Sequence, residues 1–93
     1  ITMTEKTYNQ IEALLKAKKI QEEPEDILLE LAEHLADTGQ TDTPLTHKLK
    51  IGKTTITATG ICTPSDEDPE EISVLIKTLT IDGTEFPIDE YLL

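Results

Sequence analysis

The chain has 93 residues, with nineteen Asp/Glu against eight Lys/Arg and a net charge of −11. A single-sign field of that strength steers cations and basic surfaces and repels nucleic acid and anionic membrane. The length supports one domain, 1–93. No window approaches the roughly 18 apolar residues that span a bilayer, and the lone Cys62 excludes an internal disulfide and a multi-cysteine zinc site.

Hydrophobic residues make up 37% of the chain, and Tyr8, Phe86 and Tyr91 are its only aromatics, so the expected core is aliphatic. One cysteine, with no signal-like apolar stretch at the N-terminus, points to a reducing, cytoplasmic setting. Met3 is taken as the natural start.

From about Thr4 to Lys19, Tyr8, Ile11, Leu14 and Leu15 recur at helical spacing. Thr2-x-x-Glu5 and Thr7-x-x-Gln10 are two capping boxes, of which the first is preferred. Lys16, Lys18 and Lys19 complement the negative end of the helix dipole. Pro24 opens a second helix that ends before Gly39, a residue suited to a left-handed cap. At about 100° per residue, Leu28, Leu31 and Leu35 share one face, and Asp26, Glu30, Glu33 and Asp37 form a stripe on the other. The helical part thus covers 4–38.

Beyond Pro44 the period becomes alternating. Leu45, His47, Leu49 and Ile51 interleave with Thr46, Lys48 and Lys50, as in a half-buried strand with outward lysines. Gly52-Lys53 suits a type II′ turn into a strand at about Thr54 to Thr63, where Gly60 marks a bulge. The stretch from Pro64 to Glu71 has two prolines, five acids and no apolar residue, which makes an exposed loop. Ile72 to Ile81 is apolar on both faces and is placed centrally. Asp82-Gly83 predicts a type I′ hairpin into a short strand, Thr84 to Phe86, which Pro87 demotes to an edge. Asp89 to Leu93 is expected to make a helical turn returning Tyr91 and Leu92 to the core. The fold class is α+β, order ααββββ: two helices packed on one face of a three- to four-stranded antiparallel sheet spanning 45–93.

No constellation for chemistry stands out. The pairs Glu30 with Glu33 and Asp66 with Asp68 are solvated, which denies them the desolvation that general acid–base work needs. Asp66-Glu67-Asp68 lacks the spacing, central glycine and terminal glutamate of an EF-hand loop. Cys62 with His47 or His34 is the sole nucleophile and base set, but Cys62 and His47 fall on inward strand positions, and His34 lies exposed on a helix flank. Four unclustered glycines exclude a phosphate-cradling loop. No catalytic residue, metal site, cofactor, small-molecule substrate or membrane contact is therefore expected. Lys48, Lys50 and Lys53 form a small patch able to touch phosphate or RNA, although no aromatic interleaves them for base stacking.

The charge is segregated. Residues 21–43 carry eight acids and no base, residues 44–60 three lysines and no acid, and residues 61–71 five acids and no base. The helix stripe spaces carboxylates by about 5–6 Å, the same few-ångström scale on which phosphates recur along one nucleic-acid strand. In length, in the stripe Asp26/Glu30/Glu33/Asp37, in the loop acids Asp66, Glu67, Asp68, Glu70 and Glu71, and in lacking an enzymatic motif, the chain resembles the class of small acidic phage proteins that block nucleic-acid-directed defences: anti-restriction and anti-CRISPR inhibitors and nucleic-acid mimics. That resemblance implies a non-enzymatic inhibitor whose acids meet a basic surface of a nucleic-acid-binding or ribonucleoprotein complex in the host cytoplasm, with a minor lysine contact to its RNA. The alternative is an adaptor or assembly module that binds through an apolar edge near Phe86 or the helix side around Leu29 and Ala36.

Overall fold

The computed structural model describes residues 4–68 and 70–92. The first helix, α1 (Glu5–Ala17), opens on Thr4, whose hydroxyl oxygen accepts the Thr7 backbone N–H at 3.2 Å. Thr4, and not Thr7, is thus the cap, and Thr2 lies outside the described residues. The helix also stops two residues short of the expected Lys19. Lys19 turns left-handed at φ 61, Ile20 N–H donates to the Leu15 carbonyl at 2.9 Å, and Lys19 N–H donates to that of Lys16 at 3.0 Å. This is the two-bond helix ending usually built on glycine, and it turns Ile20 onto Leu15 in the core.

Helix α2 (Pro24–Asp37) begins with proline at its first turn, as expected. Thr38 terminates it by donating its hydroxyl to the Leu35 carbonyl at 2.8 Å, and Gly39 follows at φ 73. No side chain caps its N-terminus, where Glu23 stands.

Four strands follow: β1 (Pro44–Ile51), β2 (Thr54–Pro64), β3 (Ile72–Ile81) and β4 (Thr84–Leu92), paired antiparallel in the order β1-β2-β3-β4. The α+β order ααββββ is thus the observed architecture. Both hairpin turns have the backbone that their residues favour. Gly52 alone is at positive φ in the first, whereas Asp82 (φ 46) and Gly83 (φ 90) both are in the second, as type I′ requires.

The register shifts at Thr59/Gly60, where the bulge was expected. The reason for glycine there is steric. A Cβ on Gly60 would stand 2.4 Å from the Leu75 carbonyl oxygen and 3.3 Å from Leu35 Cδ1, so α2 and β3 approach the backbone where a side chain would be.

The C-terminal segment departs from expectation. β4 runs nine residues, through Pro87 to Leu92, and no helical turn forms among them. On an edge strand the missing proline N–H faces no partner strand, so pairing continues. Two residues of β4, Ile88 and Asp89, oppose the single Lys77 between the pairs Ile76↔Glu90 and Thr78↔Pro87, with Asp89 at φ 49. Past that bulge Leu92 turns toward the helices, but Tyr91 does not reach the core and stays 62% exposed on the opposite face.

Both helices cover one face of the sheet. Ile11 and Leu15 of α1 and Ile27, Leu28, Leu31 and Leu35 of α2 close over Ile56, Val74, Ile76, Leu79 and Ile81, all at 1% exposure or less. Among the described residues, no buried side-chain polar atom lacks a partner.

One carboxylate joins three segments. Asp82 accepts from Lys18 Nζ at 2.6 Å and from the Thr55 backbone N–H at 2.9 Å, while its own N–H donates to the Thr55 carbonyl. It thereby fastens the end of α1 to the β3–β4 turn and the start of β2. The lysine bond, with the Thr55 amide second, holds the Asp82 carboxyl below its ordinary value of 3.8.

Two outcomes test this packing. Gly60→Ala forces the backbone apart and is expected to cost about 1–3 kcal/mol in urea denaturation. For Asp82, the depressed folded-state pKa makes its stabilisation complete above the unfolded value and lost as pH falls through the folded one. Asp82→Asn, which tolerates the left-handed turn, should therefore melt below the native chain at neutral pH, with the gap closing as pH drops below about 4.

Candidate functional site

α2 carries the acidic row. Because Leu31 and Leu35 are pressed onto the sheet, helical geometry sends Asp26, Glu30, Glu33 and Asp37 to the solvent side, and all four are exposed. The row begins beside further acids. The hydrogen bond between Glu23 and Glu25, with the Glu25 charge behind it, pushes the Glu23 carboxyl up from its ordinary range. Glu25 also accepts from the Tyr8 hydroxyl at 3.1 Å. Desolvation, that bond and the surrounding carboxylates together push the Tyr8 phenol up to about 12.

The acidic loop lies at the end of the sheet where β2 passes to β3. Its acids Asp66, Glu67, Asp68, Glu70 and Glu71 are all exposed. Ser65 N–H donates to the Glu71 carbonyl at 2.8 Å, and Asp68 accepts from the Glu70 N–H at 3.0 Å, so the loop is a tied turn.

Two contacts relate row and loop. Leu35 sits over Gly60, and Asp42 N–H donates to the Cys62 carbonyl at 2.8 Å, so the Asp37 end of the row and the loop occupy the same end of the sheet. The row then runs away from the loop along the helix layer.

The lysines are elsewhere. Lys48 and Lys50 alternate with half-buried Leu45, His47, Leu49 and Ile51 and stand on the sheet face away from the helices; Lys53 lies in the β1–β2 turn. Both layers of the domain separate Lys48 and Lys50 from the acidic row. Lys18, assigned from sequence to the helix dipole, is held by Asp82, and Lys16 pairs with Glu12 at 3.6 Å.

Cys62 is wholly buried, and burial pushes its thiol up, the reverse of what nucleophilic use requires. His34 and His47 stack face to face, with centroids 4.4 Å apart and planes 16° from parallel. This contact pins the flank of α2 to β1. Among the described residues, no group of three His, Cys, Asp or Glu is arranged to hold a metal ion, and no helix is long and apolar enough to cross a membrane. Phe86 is 8% exposed, so its own ring is not free at the edge; Leu29, at 40%, is exposed on α2.

Two clefts lie among the described residues. One, of about 460 Å³, is lined by buried Leu15 and Ile20 and by exposed Lys16, Lys19, Glu22 and Glu23. The other, of about 470 Å³, lies beside the acidic loop at Ser65, Glu71, Ile72 and Ser73.

Compared with known proteins, the chain matches no family model, no curated protein sequence and no solved structure.

Proposed function

We propose that the chain is a non-enzymatic binding protein of the phage-inhibitor type, acting in the host cytoplasm. It blocks a basic nucleic-acid-binding protein or nucleic-acid-guided defence complex through charge complementarity. The observation that carries this reading is the exposed row Asp26, Glu30, Glu33 and Asp37 on α2, whose Asp37 end lies at the same end of the sheet as the loop Asp66 to Glu71. The crowding of Glu23 against Glu25 at the head of the row adds to it. Like charges held this close repel in the free protein, and a cationic surface laid over them relieves that repulsion. Lys48 and Lys50 do not share the row's surface, so contact with RNA through them would need a partner that wraps the domain.

Capture from host lysate at low salt, with the eluate identified, supplies the partner. Association with that purified partner should weaken steeply as salt rises, and Glu30→Lys combined with Glu33→Lys should slow it by about tenfold or more while the melting transition stays intact. Binding indifferent to both salt and charge reversal would sink the electrostatic reading. Binding that is lost on Leu29→Lys but insensitive to salt would favour the adaptor alternative.

A further inference from the structure

The face of the sheet turned away from the helices is composed differently from the rest of the surface. Reading across the strands, the register sets Lys48, Thr57, Thr80 and Glu85 in one row, Thr46, Thr59, Thr78 and Pro87 in a second, and Pro44, Ile61, Leu75 and Tyr91 in a third. Of the nineteen acids in the chain, Glu85 is the one that the paired register puts on this face. The remainder is threonine and Ser73, Lys50 beside Lys48, the partly exposed aliphatics Ile61 and Leu75, and Tyr91 at 62% exposure, with Lys77 and Asp89 exposed at the bulge that the register leaves unpaired. No helix packs on it.

We infer that this open face is an interface for a second copy of the same chain, packed sheet on sheet about a two-fold axis parallel to the strands. Two chains of charge −11 repel when their acidic helix layers meet, and this face is where they can approach with few opposed acids. The two-fold lays β1 of each copy over β4 of the other. Lys48 then meets Glu85 of the second copy and Glu85 meets its Lys48, while Ile61 meets Leu75 and Pro44 meets Tyr91, each contact made twice as an isologous interface requires. Within one chain Lys48 and Glu85 lie three strand spacings apart, about 14 Å, and do not pair. A four-stranded face of this length offers about 500 Å² per copy, so about 1,000 Å² in all, which is where specific interfaces begin. The aligned packing of two sheets needs no rearrangement of either. This inference is independent of the acidic row, which the pairing leaves free on both outer sides.

Sedimentation equilibrium on the full chain, from micromolar to millimolar concentration, tests it. The native chain should approach twice its 10.3 kDa mass. Lys48→Glu and Glu85→Lys should each weaken dimerisation about tenfold, since each replaces two attractive contacts by two repulsive ones. The Lys48→Glu/Glu85→Lys double variant should recover it. Tyr91→Lys, at a position too exposed to unfold the chain, should also abolish the dimer, with far-UV circular dichroism confirming the fold of each variant. A monomer throughout the range, a dimer untouched by Tyr91→Lys, or single-variant losses that the double variant fails to recover would each overturn the proposal.

Discussion

At Gly60 an added methyl group would collide with the Leu75 carbonyl of the neighbouring strand and crowd Leu35 of α2, so the helix seats directly on bare backbone there. That approach sets the depth of the helix layer. With no Trp and Phe86 the single aromatic of the buried cluster, the chain has few large rings to fill a wider gap. Close packing of Ile and Leu side chains is the available way to remove enough surface from water, and it works only if the two layers are near. The burial of Leu31 and Leu35 goes with this seat, and the register shift between β2 and β3 falls at the same place.

The same seat decides where charge can go. Once one side of α2 is sealed, its remaining polar positions all face water, and the carboxylates there cost little because solvent screens them. The sheet's other face then has no need of acids for solubility and is furnished with threonine, whose branched side chain suits a pleated, half-exposed surface. The segregation of sign along the sequence becomes a segregation by layer, with carboxylates over the helices and hydroxyls and lysines over the sheet. At the far end, Asp82 ties α1, β2 and the β3–β4 turn together by one carboxylate in place of apolar area.

Much of this was legible in the residues. The leucine spacing of α2, the alternation in β1 and the punctuation at Gly52, Gly60 and Asp82-Gly83 are local signals, and each produced its element. The carboxylate row followed from helical arithmetic. Three things were not legible. Thr2 and Thr7 each head a capping-box pattern, and these mask Thr4, which lies between them and has no such pattern. Pro87 reads as a stop until the strand is known to be an edge, and the left-handed Asp89 that restores the register past it has no signature stronger than an aspartate. Relations between distant segments were also hidden. The Lys18–Asp82 ion pair spans 64 positions, and the rows on the open face exist only once three registers are fixed together.

The edges of the sheet carry one last consequence. β4 is interrupted by Pro87 and the bulge at Asp89, and β1 carries lysines at alternate positions, so neither edge is a clean template for another strand. A sheet with such edges resists strand-by-strand extension sideways. The pairing inferred for the open face would use up that face, so assembly by that contact alone would be finite and end at two copies.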